Sequence, residues 1–345
     1  MSWNITLFDA KEYDINSFNG FKDKYDVVYK YYDTRLTEDT VSLCKGSDVV
    51  CVFVNDQITD RIIDALQEYG IKLLALRCSG YNNVDIEYAF GKLHIVRVPA
   101  YSPHAVAEHA MAMLLTSVRR IHKAYIRTRD FNFSLNGLTG FNLYGKTVGI
   151  IGTGRIGKCF ADICLGFGMK VLAFDKTPAN NPRITYTTLN EIWKKSDIIS
   201  LHCPLNEETL HLINKSTLKK MKKGIVIINT SRGALIDSKA LLNSIKTRHV
   251  GAACLDVYEE EANLFFRDLS GHIIDDDILA RLISMPNVIV SSHQAFLTEE
   301  ALYNIAETTL NNINEFMITG TSKNEICYKC SQFNECKGKS KGKCF

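Results

Sequence analysis

In the second half of this 345-residue chain, an arginine, a cluster of carboxylates and a histidine each follow an apolar run of strand character. Arg232 comes just after Ile225–Asn229, Asp256 and the run Glu259-Glu260-Glu261 after Val250–Leu255, and His293 after Val288–Val290. These residue types suit a carbonyl that accepts a hydride, which needs a proton donor, an anion clamp and a group that tunes the donor. Arginine grips a carboxylate through two parallel N–H bonds. A histidine hydrogen-bonded to a carboxylate has its charged form stabilised and can carry a proton near neutral pH. Taken singly each is ordinary: a histidine is usually structural, an arginine pairs ions at a surface, and three glutamates in a row are usually solvated. Their arrival on successive strand ends points to a site, because ligands of an open parallel sheet bind beyond the carboxyl ends of its strands. Spacing does not say which of Glu259, Glu260 and Glu261 would meet the histidine.

A hydride donor has its own signature upstream. The apolar run Val148–Ile151 enters Gly152-Thr153-Gly154-Arg155-Ile156-Gly157, a helix-forming stretch to Gly166 follows, and Asp175 ends the next apolar run, Lys170–Phe174. Strand, Gly-x-Gly-x-x-Gly, helix and a later acidic residue make a dinucleotide-binding turn. The glycines allow the tight turn and close backbone approach, the pyrophosphate sits on the helix N-terminus, and the carboxylate takes the ribose hydroxyls. About 150 residues precede this turn, so another folded unit must come first.

The elements that position these residues read as two α/β domains, each a doubly wound parallel sheet. Strands are expected at Ile5–Phe8, Val49–Val54, Leu73–Leu76 and His94–Val98, with a helix over Thr59–Tyr69 among them. Ser102 and Pro103 then read as the start of a long helix running to about Arg127, with Val106, Ala110, Met113, Leu114, Ser117 and Ile121 on one apolar stripe. Residues 130–145 read as a polar loop. A second strand series lies near 147–151, 170–174, 198–202, 225–229, 250–255 and 288–290, and a last helix covers Thr298–Met317. The expected domains are 1–100 with 297–325 for substrate, 101–296 for the nucleotide, and a flexible tail at 326–345.

Several stretches together resemble the D-isomer-specific 2-hydroxyacid dehydrogenases. They are the glycine turn with Asp175, Thr230-Ser231-Arg232-Gly233, Asp256-Val-Tyr-Glu-Glu-Glu261 and Ser292-His-Gln-Ala-Phe296. Arg77-Cys-Ser-Gly-Tyr-Asn-Asn-Val-Asp85, Val98-Pro-Ala-Tyr-Ser-Pro103 and Leu138-Thr-Gly-Phe-Asn-Leu-Tyr-Gly-Lys146 look most like the fermentative D-lactate dehydrogenases within that family. The resemblance spans about residues 1–325. It implies a Rossmann domain inserted into a discontinuous flavodoxin-like one, reversible hydride transfer between NADH and pyruvate, and a homodimer or homotetramer. His293 would be the acid/base with Glu261 as its carboxylate partner. Arg232 would hold and polarise the substrate, with backbone amides at Ser79 and Gly80 on its carboxylate and Tyr101 and Phe296 lining the pocket. Implied cofactor contacts are Gly152, Gly154, Arg155, Ile156, Gly157, Asp175, Cys203, Pro204, Thr209, Thr230, Ser231 and Asp256. Reductases of hydroxypyruvate, glyoxylate or branched 2-oxo acids, and NAD-sensing corepressors, are the alternatives within the same family.

Charge chooses the cofactor. The extra phosphate of NADP would stand about 4 Å from Asp175, a repulsion of about 4 kcal/mol per charge pair at an effective dielectric near 20, so NAD is expected. The net charge of +3 comes from the tail, where residues 327–345 hold five lysines and one glutamate, leaving the body near −1. A nucleic-acid partner is therefore not expected. No stretch approaches eighteen apolar residues and no basic start leads into an apolar run, so neither membrane spanning nor secretion is expected. Eleven cysteines, seven scattered through the body, suit a reduced cytoplasmic protein. The other four, Cys327, Cys330, Cys336 and Cys344, could hold a metal, but their spacing fits no standard finger and an unmetallated tail is the expectation.

Overall fold

A computed structural model describes residues 2–326 of the chain. They form two compact units, one of residues 2–102 with 298–326 and the other of residues 103–297.

The first unit holds five parallel strands: β1 (Trp3–Leu7), β2 (Val27–Tyr31), β3 (Val49–Val52), β4 (Leu73–Leu76) and β5 (His94–Arg97), in the order β2-β1-β3-β4-β5. Strands β3 and β4 are buried at every position, as helices on both faces require. Helix Glu299–Thr319 returns the chain to this unit, capped by Thr298, and packs Ala306, Leu310, Ile313 and Phe316 into the core with Ile5, Leu7 and Phe18. Strand β3 stops two residues short of its apolar run because the Asp56 carboxylate takes the backbone N–H of Phe53, at 2.6 Å, and of Leu36, at 2.8 Å. Strand β2 has no counterpart in the sequence reading. At the sheet edge it alternates half-buried and exposed residues, so its apolar run is diluted by Lys30 and tyrosines.

The second unit holds seven parallel strands: β6 (Thr147–Ile151), β7 (Lys170–Phe174), β8 (Thr185–Tyr186), β9 (Ile198–Leu201), β10 (Ile225–Asn229), β11 (Val250–Leu255) and β12 (Val288–Val290), ordered β12-β11-β10-β9-β6-β7-β8. Alternate residues feed two cores. Ile151, Ile199, Leu201, Ile227 and Leu255 face one, and Val148, Ile150, Ile198, Val226 and Cys254 the other. The strand order reverses at β6, whose neighbours β9 and β7 leave a crevice over its carboxyl end.

The long helix expected to run to Arg127 is instead two. Pro103–Arg119 is buried along Val106, Ala110, Met113, Leu114 and Ser117, and Ile121–Arg129 follows a break at Arg120, whose backbone is left-handed at φ 56°. Ile121 leaves the stripe and is 53% exposed. The left-handed Arg120 turns the chain off the line of the first helix, and none of the residues of the second is buried. Residues 130–145 form a loop that is not simply polar, since Phe131, Phe133, Leu135 and Tyr144 stand exposed along it.

Candidate active site

At the end of β6 the backbone of Gly152 is at φ 93°, and a Cβ there would come 2.6 Å from the backbone of His202 and Cys203. Only glycine lets the two strand ends approach this closely. Helix Arg155–Gly166 then begins at Gly154, whose N-cap position carries no side-chain hydrogen bond, so the first-turn N–H groups point outward as an anion site. A Cβ on Gly157 would meet the Gly152 carbonyl oxygen at 2.0 Å, which shows how tightly this helix, opened by Arg155 and Ile156, lies on the turn.

At the end of β7, Asp175 Oδ2 accepts from Thr153 N at 2.6 Å and Thr153 Oγ1 at 3.1 Å, and Oδ1 accepts from Thr177 N at 2.8 Å. Partial burial pushes its carboxyl up, but the hydrogen bonds from Thr177 and Thr153 outweigh this and hold it below the ordinary carboxylate value. A cavity of about 380 Å3 opens between these strand ends, lined among others by Gly152, Gly154, Asp175, Cys203, Pro204 and Thr209. His202 on its wall donates to or accepts from Ser200 Oγ at 2.8 Å, and desolvation pushes its pKa down to about 4, so the wall carries no positive charge there. Thr230 Oγ1 is buried with no partner among the described residues. An uncapped helix start, an ionised carboxylate and an orphaned hydroxyl are the donor and acceptor set that a dinucleotide needs.

On the other side of the sheet reversal lie β10, β11 and β12. Ser231 Oγ donates to the Cys203 carbonyl at 2.7 Å, tying the β10 loop to the cavity wall. The Arg232 carbonyl accepts from Asn229 Nδ2 at 2.8 Å, and its guanidinium donates one bond to the Ser231 carbonyl at 2.7 Å. A Cβ on Gly233 would meet the Tyr258 carbonyl group at 2.0 Å, so the arginine loop lies directly on the carboxylate loop. There Glu261 alone of the three glutamates reaches the histidine: Oε1 lies 2.7 Å from His293 Nδ1, and Oε2 accepts from Tyr258 N at 2.7 Å. Glu259 is taken by His211 and Ser238 N, and Glu260 is exposed. The Nδ1 contact leaves His293 Nε2 as the nitrogen for a reacting group.

Asp256, which the resemblance gives to the cofactor, is committed to the protein's own donors in this structure. It is 0% exposed, and its oxygens accept from Ser291 Oγ (2.7 Å), Gln294 N (2.9 Å) and Ala295 N (3.0 Å). A carboxylate this deep must spend its lone pairs on fixed donors, and here those donors belong to the histidine loop.

In the first unit, Ser79 and Gly80 follow β4 and Tyr101 lies past β5, all half-buried; Phe296 is buried in the second unit. Arg77, at the end of β4, is an anchor that carries no role in the sequence reading. It is 1% exposed and donates to Asp14 Oδ1 (3.1 Å), the Phe8 carbonyl (2.9 Å) and the Asp9 carbonyl (2.7 Å), fixing the backbone that leads into Ser79. The signal for it was a cation closing the wholly apolar Leu73–Leu76. Cys327, Cys330, Cys336 and Cys344 lie outside the described residues. Among the described residues no His/Cys/Asp/Glu group is arranged to hold a metal, and no helix is long and apolar enough to cross a membrane.

Residues 111–295 match the family model of the D-isomer specific 2-hydroxyacid dehydrogenase, NAD binding domain. The chain is 46% identical to the D-lactate dehydrogenase of Escherichia coli over 327 residues, covering 93% of this chain and 99% of that one. It is 49% identical to a 2-hydroxyacid dehydrogenase homolog of Haemophilus influenzae, with 90% and 95% covered. The apo-structure of the E. coli D-lactate dehydrogenase superposes with a TM-score of 0.86 at 44% identity, covering 94% of this chain and 99% of that one. A D-lactate dehydrogenase from Aquifex aeolicus, solved with NAD and lactic acid, gives 0.81 at 32% identity, with 91% and 96% covered.

Proposed function

Since this chain belongs to the D-isomer-specific 2-hydroxyacid dehydrogenases, we propose that its reaction is the reversible reduction of pyruvate to D-lactate by NADH. The observation that carries the reading is the 2.7 Å pair of His293 and Glu261 on the same sheet edge as Arg232. NADH, when bound, supplies the hydride that becomes the C2 hydrogen of lactate. His293 Nε2 gives its proton to the carbonyl oxygen as that hydride arrives, so the C=O bond becomes an alcohol and the imidazole is left neutral. Glu261 holds the ring through Nδ1 and so leaves Nε2 as the nitrogen that hands over the proton. Arg232 grips the substrate and draws charge onto its oxygens, with the Ser79 and Gly80 amides on its carboxylate. Tyr101 and Phe296 are assigned to the short methyl end. Gly152, Gly154, Asp175, Cys203, Pro204, Thr209, Thr230 and Ser231 are assigned to the cofactor, with the outward N–H groups at Arg155–Gly157 on its phosphates.

A panel of 2-oxo acids with NADH tests the substrate. Pyruvate is expected to give the highest kcat/KM; a preference for hydroxypyruvate, glyoxylate or a branched acid would move the chain to another branch of the family.

The reading includes a homo-oligomer and a cytoplasmic location. Ile121, Tyr125, Ile126, Phe131, Phe133 and Leu135 are all exposed within fifteen residues, a density of large apolar side chains that suits an interface between copies of the chain. Sedimentation should give an integral multiple of the 38.9 kDa chain mass; a monomer at micromolar concentration would remove this part. Cys44, Cys51, Cys164, Cys203 and Cys254 are buried as free thiols, which suits a reducing compartment. Recovery of the protein in a membrane or secreted fraction would contradict it.

A further inference from the structure

Beneath the loop that carries His293 lies a second histidine to which the reaction gives no part. His109, on helix Pro103–Arg119, has Nε2 at 3.1 Å from Ser291 Oγ and 3.3 Å from Asp256 Oδ1. Ser291 Oγ donates its own hydrogen to that same Oδ1 at 2.7 Å, so only its lone pairs face the ring. The carboxylate likewise offers only acceptors. Nε2 must therefore carry a hydrogen, shared between the two oxygens.

Asp256 in turn organises the loop. It accepts from Gln294 N and Ala295 N with its side chain, and from His293 N at 2.7 Å with its carbonyl. His293 is left-handed at φ 55°, a backbone state that a non-glycine residue keeps only where its surroundings enforce it. The enforcing group is a fully buried carboxylate, and such a group stays ionised only with enough fixed donors.

We propose that His109 is a positioning residue for the acid/base histidine: by donating to Asp256 it keeps that carboxylate ionised, and the ionised carboxylate holds residues 293–295 in the shape that presents His293 to Glu261. The inference rests on the reading of His293 as the acid/base. The groups facing Asp256 are His109 from the helix, and Ser291 and His293 from the segment after β12. Burial pushes the Asp256 carboxyl up, while the hydrogen bonds of His109 and Ser291 and the charge of His293 bring it below its ordinary value. A group lowered in this way keeps its ionised role above its folded value and loses it as pH falls through that value. Without His109 that point moves up.

The test is the pH profile of kcat/KM for pyruvate in His109→Phe, His109→Asn and His109→Gln, with NADH affinity measured alongside by fluorescence. In the Phe variant the acid limb should rise by about one pH unit, so that kcat/KM falls about tenfold below the parent midpoint, with NADH affinity unchanged. Asn, one methylene too short to reach Asp256, should behave as Phe does and carries the test if Phe does not fold. Gln places an amide N–H2 where Nε2 stood and should restore the parent limb. Parent profiles in the Phe or Asn variants, or a Gln variant as impaired as Phe, would overturn the proposal. His293→Gln run in parallel separates the two claims: turnover there would sink the acid/base assignment itself, whereas an inactive His293→Gln beside unaffected His109 variants would sink only this one.

Discussion

His293→Gln is expected to lower kcat for pyruvate reduction by about a thousandfold while leaving NADH affinity within about twofold. A positioned general acid contributes roughly a hundredfold to ten-thousandfold to a proton-coupled step, and glutamine offers an amide N–H that is far too weak an acid to be transferred. The substitution should spare the fold. The backbone bond from His293 N to the Asp256 carbonyl does not involve the side chain, and glutamine is close to histidine in size. The cavity assigned to the cofactor has no wall from this loop, being built from the ends of β6, β7 and β9. Stopped turnover with intact NADH binding therefore isolates the proton. Retained turnover would take His293 out of the acid/base role.

Arg232→Lys keeps the charge and should still raise the KM for pyruvate by about ten- to a hundredfold. The guanidinium already spends one N–H on the Ser231 carbonyl at 2.7 Å and has further donors in its fixed fork for a substrate. An ammonium is a point charge that cannot hold the carbonyl and present a planar pair of donors at once. One charge-assisted hydrogen bond lost is worth about 1.5–3 kcal/mol, which sets that range. The loop is held by Asn229 Nδ2 on the Arg232 carbonyl, a contact the substitution leaves alone, so the KM for NADH should not move. An unchanged KM for pyruvate would remove Arg232 from the clamp.

The legible parts of the chain were those whose local rule and global role agree. The turn Gly152–Gly157 could be read because three glycines, a strand and an acidic residue are each required by the same backbone approach, and the close contacts at Gly152 and Gly157 are that requirement made visible. Arg232, the carboxylates and His293 were legible as an edge, since strand ends can be counted. Spacing alone could not choose among the glutamates, and only the family resemblance pointed to Glu261, because Tyr258 N and His211 divide Glu261 from Glu259 by contacts no spacing encodes. The service of Asp256 to the next loop was hidden for a related reason: position after a strand says nothing of burial, and it is burial that turns the carboxylate toward Gln294 N and Ala295 N. The break at Arg120 was hidden because arginine is a good helix former and its left-handed backbone leaves no mark in composition. Edge strand β2, half exposed and carrying a lysine, falls below any apolar-run criterion.

The central claim is hydride transfer from NADH to the C2 carbonyl of pyruvate with one stereochemical outcome. The most direct measurement is to incubate the purified protein with pyruvate and NADH, follow NADH loss, and assign the product's configuration with chiral chromatography. The expected result is stoichiometric D-lactate, with NADPH supporting the reaction about a thousandfold less well because of the charge at Asp175. L-lactate, a racemic product, or no NADH oxidation with pyruvate would contradict the account.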